Sequence, residues 1–139
     1  MVNMYHNAPI NTFFKPTLTI ESEGQTSITL DVISDHFHTG GFLHGSAIFK
    51  LLDDAAYFAA QSMETTLFLV TSSFNSHFIR PVNSGQLTAY GKIIETTNTQ
   101  CIAESRIINE DGKLIAHGSG CFVKSSMALK DIETSKFTS

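Results

Sequence analysis

The chain has 139 residues, enough for one substantial core and short for two, so a single domain over 1–139 is expected, with its core in 16–124 and a polar tail over 125–139. Charged residues make up 16% and the net charge is −4, which leaves no broad electrostatic footprint for a nucleic-acid partner. The longest fully apolar stretches, such as Ala55 to Ala60, fall far short of the roughly 20 residues of a bilayer span, and Met1 to Pro16 lacks a basic region and an unbroken apolar run. Neither a membrane span nor a secretory leader is therefore expected.

In chain order, Leu18-Thr19-Ile20 and Ile28 to Val32 alternate around Glu23-Gly24-Gln25, which reads as a hairpin. Ser34 to His44 is a loop rich in His and Gly without hydrophobic period. At Gly45-Ser46 it gives way to the one long helix, on which Ile48, Leu51, Leu52, Ala55, Phe58 and Ala59 share a wide apolar face. Lys50, Asp53, Asp54, Tyr57 and Gln61 form a narrow polar strip. Strands follow over Leu67 to Phe78, Gln86 to Thr96, Gln100 to Ile108 and Lys113 to Val123, the last three an antiparallel meander with turns at Thr97-Asn98 and Glu110-Asp111-Gly112. Ser125 to Ser139 reads as loose chain or a short surface helix. Cys101 and Cys121 lie in apolar strand surroundings without CxxC spacing, as reduced core residues would.

Two strands, a buried helix and four strands make an α+β domain, a curved antiparallel sheet wrapped around one central helix. One helix leaves such a sheet with open edges and uncovered apolar surface, so dimerisation is expected.

Chemistry concentrates between His36 and Asp54. Gly40-Gly41 followed by His44-Gly45-Ser46 at a helix start brings backbone close to a ligand and points free N–H groups at it, as an oxyanion requires. The same residues also suit a plain turn with Ser46 as helix cap. Asp53 and Asp54 lie about 100° apart on the helix, and Lys50 is in reach of either as an ion-pair partner. A solvated helix edge accounts for both aspartates as well. His36, His38 and His44 have no zinc-ligand spacing, so no metal is expected.

His44-Gly45-Ser46 opening a helix, Asp53 nine positions after that histidine, Val70-Thr71, and Phe78-Ile79-Arg80-Pro81 form an ordered set over Leu18 to Lys124 that resembles the PaaI-like hotdog acyl-CoA thioesterases. The resemblance implies a hydrolase without separate cofactor, CoA being part of the substrate. It also implies a cytoplasmic homodimer or dimer of dimers (a homotetramer), with active sites at the subunit interface. Asp53 would be general base or nucleophile, Gly45 the oxyanion-binding N–H, and His44 a shaper of that loop. His38 falls where such enzymes often carry Asn or Gln on the thioester carbonyl, keeping a donor and adding a titratable group. Thr71 falls where a hydroxyl positions water. The family pattern usually reads His-Gly-Gly, so Ser46 departs from it. For the CoA phosphates the candidates are Arg80, Lys92 and Lys124, each also readable as an ordinary surface charge.

Two other functions stay open. The same fold serves non-catalytic acyl-CoA binding. A hotdog enoyl-CoA hydratase would use Asp31 and His36, although the Asn-Pro such enzymes usually carry in that stretch is missing here.

Overall fold

A computed structural model describes residues 1–133. Two short helices, α1 (Val2–His6) and α2 (Asn11–Phe14), precede the hairpin β1 (Thr17–Ser22) and β2 (Gln25–Asp31). A single 3-10 turn (Ser34–His36) leads to the central helix α3 (Gly45–Gln61), and β3 (Leu67–Phe78), β4 (Gln86–Thr96), β5 (Gln100–Ile108), β6 (Leu114–Ala128) and α4 (Leu129–Glu133) complete the chain. The strands form one antiparallel sheet in the order β1-β2-β4-β5-β6-β3, curled around α3, which is the expected hotdog arrangement.

The core is the seam between α3 and the inner sheet face. Ile28, Leu30, Leu51, Leu52, Leu87, Ile107, Ile115 and Phe122 are fully buried there, each large apolar side chain contributing about 1.5–3 kcal/mol by leaving water. Gly91 permits the close approach, because a Cβ at that position would collide with the Ala55 carbonyl oxygen. Hydroxyls of the sheet clamp the helix at the same level. Thr26 Oγ1 donates to Ala55 O and Ser105 Oγ to Leu52 O, both at 2.6 Å. These bonds bracket Asp53 and Asp54 in sequence, so the helix is held firmly where its carboxylates project.

The polar strip of α3 is covered at its C-terminal end: Tyr57 is 9% exposed and Gln61 fully buried. The β3–β6 register shifts between Leu67 and Leu69, and there the strand bonds to the helix instead. Gln61 Nε2 donates to Leu67 O at 2.9 Å, Gln61 Oε1 accepts from Leu69 N at 2.9 Å, and the Tyr57 hydroxyl reaches Leu69 O at 2.7 Å. The polar side chains thus stitch an edge strand to α3. Cys101 is buried but Cys121 only half-buried, its thiol donating to Gln100 Oε1 at 3.0 Å, and both are free thiols. β6 continues through Ser125 to Ala128 before the short helix α4, where loose chain or helix was expected; the rest of that tail lies outside the described residues.

Candidate active site

The first cluster lies at the α3 N-terminus. Gly41, at φ +83°, and Gly40 turn the chain tightly around His38, whose Nδ1 accepts from Gly40 N at 2.9 Å. His44, and not Ser46, is the helix cap: its Nδ1 accepts from Ser46 N at 2.9 Å and lies 2.8 Å from Ser46 Oγ. A ring nitrogen that accepts from an N–H carries no proton, so both histidines present Nε2 as the remaining donor. The Gly45 N–H has no acceptor among the described residues, which leaves it at the positive end of the helix dipole as a donor for developing negative charge. A Cβ on Gly45 would approach the Phe78 ring to 3.0 Å, so only glycine keeps this edge open without displacing that ring. His38, Gly45, Phe78 and Arg80 line one depression of about 350 Å³.

The second cluster lies two turns along the same helix. Asp53 Oδ1 accepts from Thr71 Oγ1 at 3.0 Å. A register shift between Thr71 and Ser73 bends β3 here, and such bulges re-aim side chains. Burial pushes the Asp53 carboxyl up to about 6; the Thr71 hydrogen bond opposes that rise, the Asp54 charge adds to it and the Lys50 charge opposes it. Asp54 is otherwise engaged. Its Oδ2 accepts from Lys50 Nζ at 2.6 Å and from the Tyr5 hydroxyl at 2.8 Å. Lys50 therefore pairs with Asp54, and Asp53 is left to face a mostly apolar pocket of about 430 Å³.

The CoA candidates are scattered. Arg80 sits on the Gly45 depression with Nη1 donating to Leu114 O at 2.5 Å. Lys92 pairs with Glu104 at 3.3 Å and Lys124 with Glu64 at 3.4 Å, each beside a different depression. The hydratase pair is engaged elsewhere: Asp31 accepts from Gln86 Nε2 at 3.0 Å, and buried His36 packs against both Phe13 and Phe14 with Nε2 2.8 Å from Phe13 O. Among the described residues no three His, Cys, Asp or Glu side chains gather as metal ligands, and no helix is long and apolar enough to cross a membrane.

Sequence reasoning missed the contribution of the first 14 residues. Met4, Tyr5, Ala8 and Ile10 line the Asp53 pocket. Helices of five and four residues are too short for a 3.6-residue period to register.

Residues 40–116, more than half of the chain, match the family model of the thioesterase superfamily. A provisionally named esterase of Saccharolobus solfataricus is 26% identical over 70% of this chain and 70% of its own. Escherichia coli PaaI, from the phenylacetic acid degradation operon, superposes with a TM-score of 0.82 at 23% identity, covering 90% of both chains. A thioesterase of Haemophilus influenzae does so with a TM-score of 0.78 at 20% identity, over 87% of this chain and 85% of its own. Matched by that family model over more than half of its length, the chain belongs to the thioesterase superfamily.

Proposed function

We propose that the protein hydrolyses the thioester of a medium-chain or aromatic acyl-CoA to the free acid and CoA, at sites shared between two copies of the chain. The observation that carries this reading is Asp53: a half-buried carboxylate, hydrogen-bonded by Thr71, facing an apolar pocket, with its pKa at about 6. Such a group is more basic than an ordinary aspartate yet ionised at neutral pH, as a general base should be.

In the reaction Asp53 takes a proton from water as it attacks the thioester carbonyl, or attacks directly to give an anhydride that water opens. Thr71 donates to the carboxylate and leaves its own lone pairs for the water. The Gly45 N–H and His38 Nε2–H receive the oxyanion, and CoA leaves as the thiol after protonation. His44 holds the loop through its cap. Arg80, on the same depression as Gly45, is the best placed of the basic residues for CoA phosphates.

The need for a second copy follows from helix geometry. Gly45 and Asp53 are eight residues apart on α3, which is about 12 Å along the axis. One carbonyl cannot lie against both within one chain. Antiparallel pairing of two α3 helices sets Asp53 of one beside Gly45 of the other, and the exposed edge strand β3 offers the backbone for that pairing. A dimer is the minimal unit, a dimer of dimers compatible with it. The setting is cytoplasmic, where CoA thioesters are made and consumed.

The test is thiol release from a panel of acyl-CoAs by wild type and Asp53→Asn. Turnover falls at least a hundredfold in the variant, by the usual worth of general-base catalysis. Stability moves the other way. Because the folded pKa of about 6 lies above the reference 3.8, the proton's stabilising contribution is full below pH 3.8 and lost by about pH 6. The bound on that loss is about 3 kcal/mol, which solvent at the pocket rim screens to on the order of 1 kcal/mol. Asp53→Asn is thus more stable than wild type at pH 7, by about 2–4 °C in Tm. Equal turnover in the two proteins removes Asp53 from the mechanism, and binding of acyl-CoA without release from any substrate makes the protein a non-catalytic binder.

A further inference from the structure

The Asp53 pocket has two walls of different character. One is built from α3 and β3, fixed by the hydroxyl clamps at Leu52 and Ala55 and by the Gln61 and Tyr57 stitches. The other is the N-terminal arm, residues 1–14, lying across the mouth. It is anchored by Met4 and Tyr5, both buried in the core, and by His6, whose Nε2 accepts from Leu18 N at 3.0 Å. The Tyr5 hydroxyl donates to Asp54 Oδ2, the Tyr5 ring meets Phe58 edge-on at 4.9 Å, and His36 reaches Phe13 O while its ring packs against both Phe13 and Phe14.

Two buried side-chain atoms among the described residues lack a hydrogen-bond partner, Asn11 Oδ1 and His36 Nδ1. Both lie where the arm meets the body. Asn11 Nδ2 donates to Tyr5 O at 2.7 Å, which fixes the amide orientation, so exchanging its O and N offers no relief. The arm is the wall that Tyr5 fastens to α3, through Asp54 and Phe58.

We propose that the N-terminal arm selects the acyl group, with Ala8 and Ile10 setting the space beyond Asp53 and Tyr5 acting as the latch that holds the wall at its working position. This rests on the reading of the Asp53 pocket as the acyl site. The pocket is mostly apolar, so the favoured occupant is an uncharged hydrocarbon or aryl acyl group. Ala8 is the point of least bulk on the arm wall, where a larger side chain costs the most acyl volume.

The experiment compares kcat/KM of the full-length wild type, Ala8→Phe, Ile10→Ala and Tyr5→Phe on acetyl-, hexanoyl-, decanoyl- and benzoyl-CoA. Ala8→Phe loses about tenfold or more on decanoyl- and benzoyl-CoA while acetyl-CoA stays within about twofold, a discrimination in the range that pocket volume supplies. Ile10→Ala shifts preference toward decanoyl-CoA. Tyr5→Phe keeps the ring packing but loses the latch, raising KM for the longer substrates with kcat retained. An active wild type whose acyl profile is reproduced by all three variants overturns the selection role and leaves the hydrolase reading standing. A wild type that releases thiol from none of the four overturns both.

Discussion

At the residue scale the question is why adjacent aspartates on one helix behave differently. Asp54 has a cation and a phenol on one oxygen, whereas Asp53 has a single neutral donor and an apolar pocket in front of it. The pair therefore divides labour: Asp54 fastens the N-terminal arm and adds negative charge beside Asp53, which helps hold the Asp53 proton. The pH dependence follows with a definite sign. Only ionised Asp53 accepts a proton, so kcat/KM rises about tenfold per pH unit below about 6 and levels off above it. Thr71→Val removes the hydrogen bond that opposes the rise in pKa, so the acid limb moves to higher pH and the plateau falls. A pH–rate profile for each protein checks this; an unmoved limb in Thr71→Val separates the hydroxyl from the titrating group. Spacing alone did not separate the aspartates, because it placed Lys50 within reach of both; the resemblance singled out Asp53. The folded arm adds a reason no spacing carries, since it brings Tyr5 to Asp54 beside Lys50 and leaves Asp53 without a charged partner.

At the scale of elements, β3 to β5 could be read from the sequence to the residue because alternation and turn residues agree there. What satisfies the polar strip was not legible, for a physical reason. Periodicity reports which face is polar, and it is silent on whether solvent or an unpaired strand edge satisfies that face. Gln61 shows the difference: its amide makes bonds to Glu64 O, Leu67 O, Leu69 N and the Tyr57 hydroxyl, at distances of 2.8–2.9 Å. This is a framework for Thr71, two residues beyond Leu69. Gln61→Leu preserves volume but strands those partners, so it costs about 2–4 kcal/mol, read as a lower urea midpoint at constant m-value. It also lowers kcat, because the Thr71–Asp53 pair loses its alignment. A variant as stable as wild type shows that the strand finds other partners and that the stitch is dispensable.

At the scale of the whole molecule, the fold and the ordered set from His44 to Pro81 were visible in the sequence. The separation of Gly45 from Asp53 along the helix was visible too; the partners of each cluster, the Gly40–His38 turn and the Tyr5–Asp54 contact, were not, the first because a loop carries no hydrophobic period and the second because the chain folds back from a distance to make it. The two-chain site is the central claim, and subunit mixing tests it most directly. Gly45→Pro removes the N–H at a first helical position where proline is tolerated, and the extended His44 backbone at φ −62°, ψ 143° suits a following proline; its Cβ also shifts the Phe78 ring, a change confined to the Gly45 side of the site. Alone, Gly45→Pro and Asp53→Asn are each inactive. Unfolded together and refolded, they form mixed dimers in which one site has both its Gly45 N–H and its Asp53 carboxylate, while the other has neither. Thiol release recovers to about one quarter of wild type, from half the dimers carrying half the sites. Mixed dimers that form and stay inactive rule out a site shared between two chains.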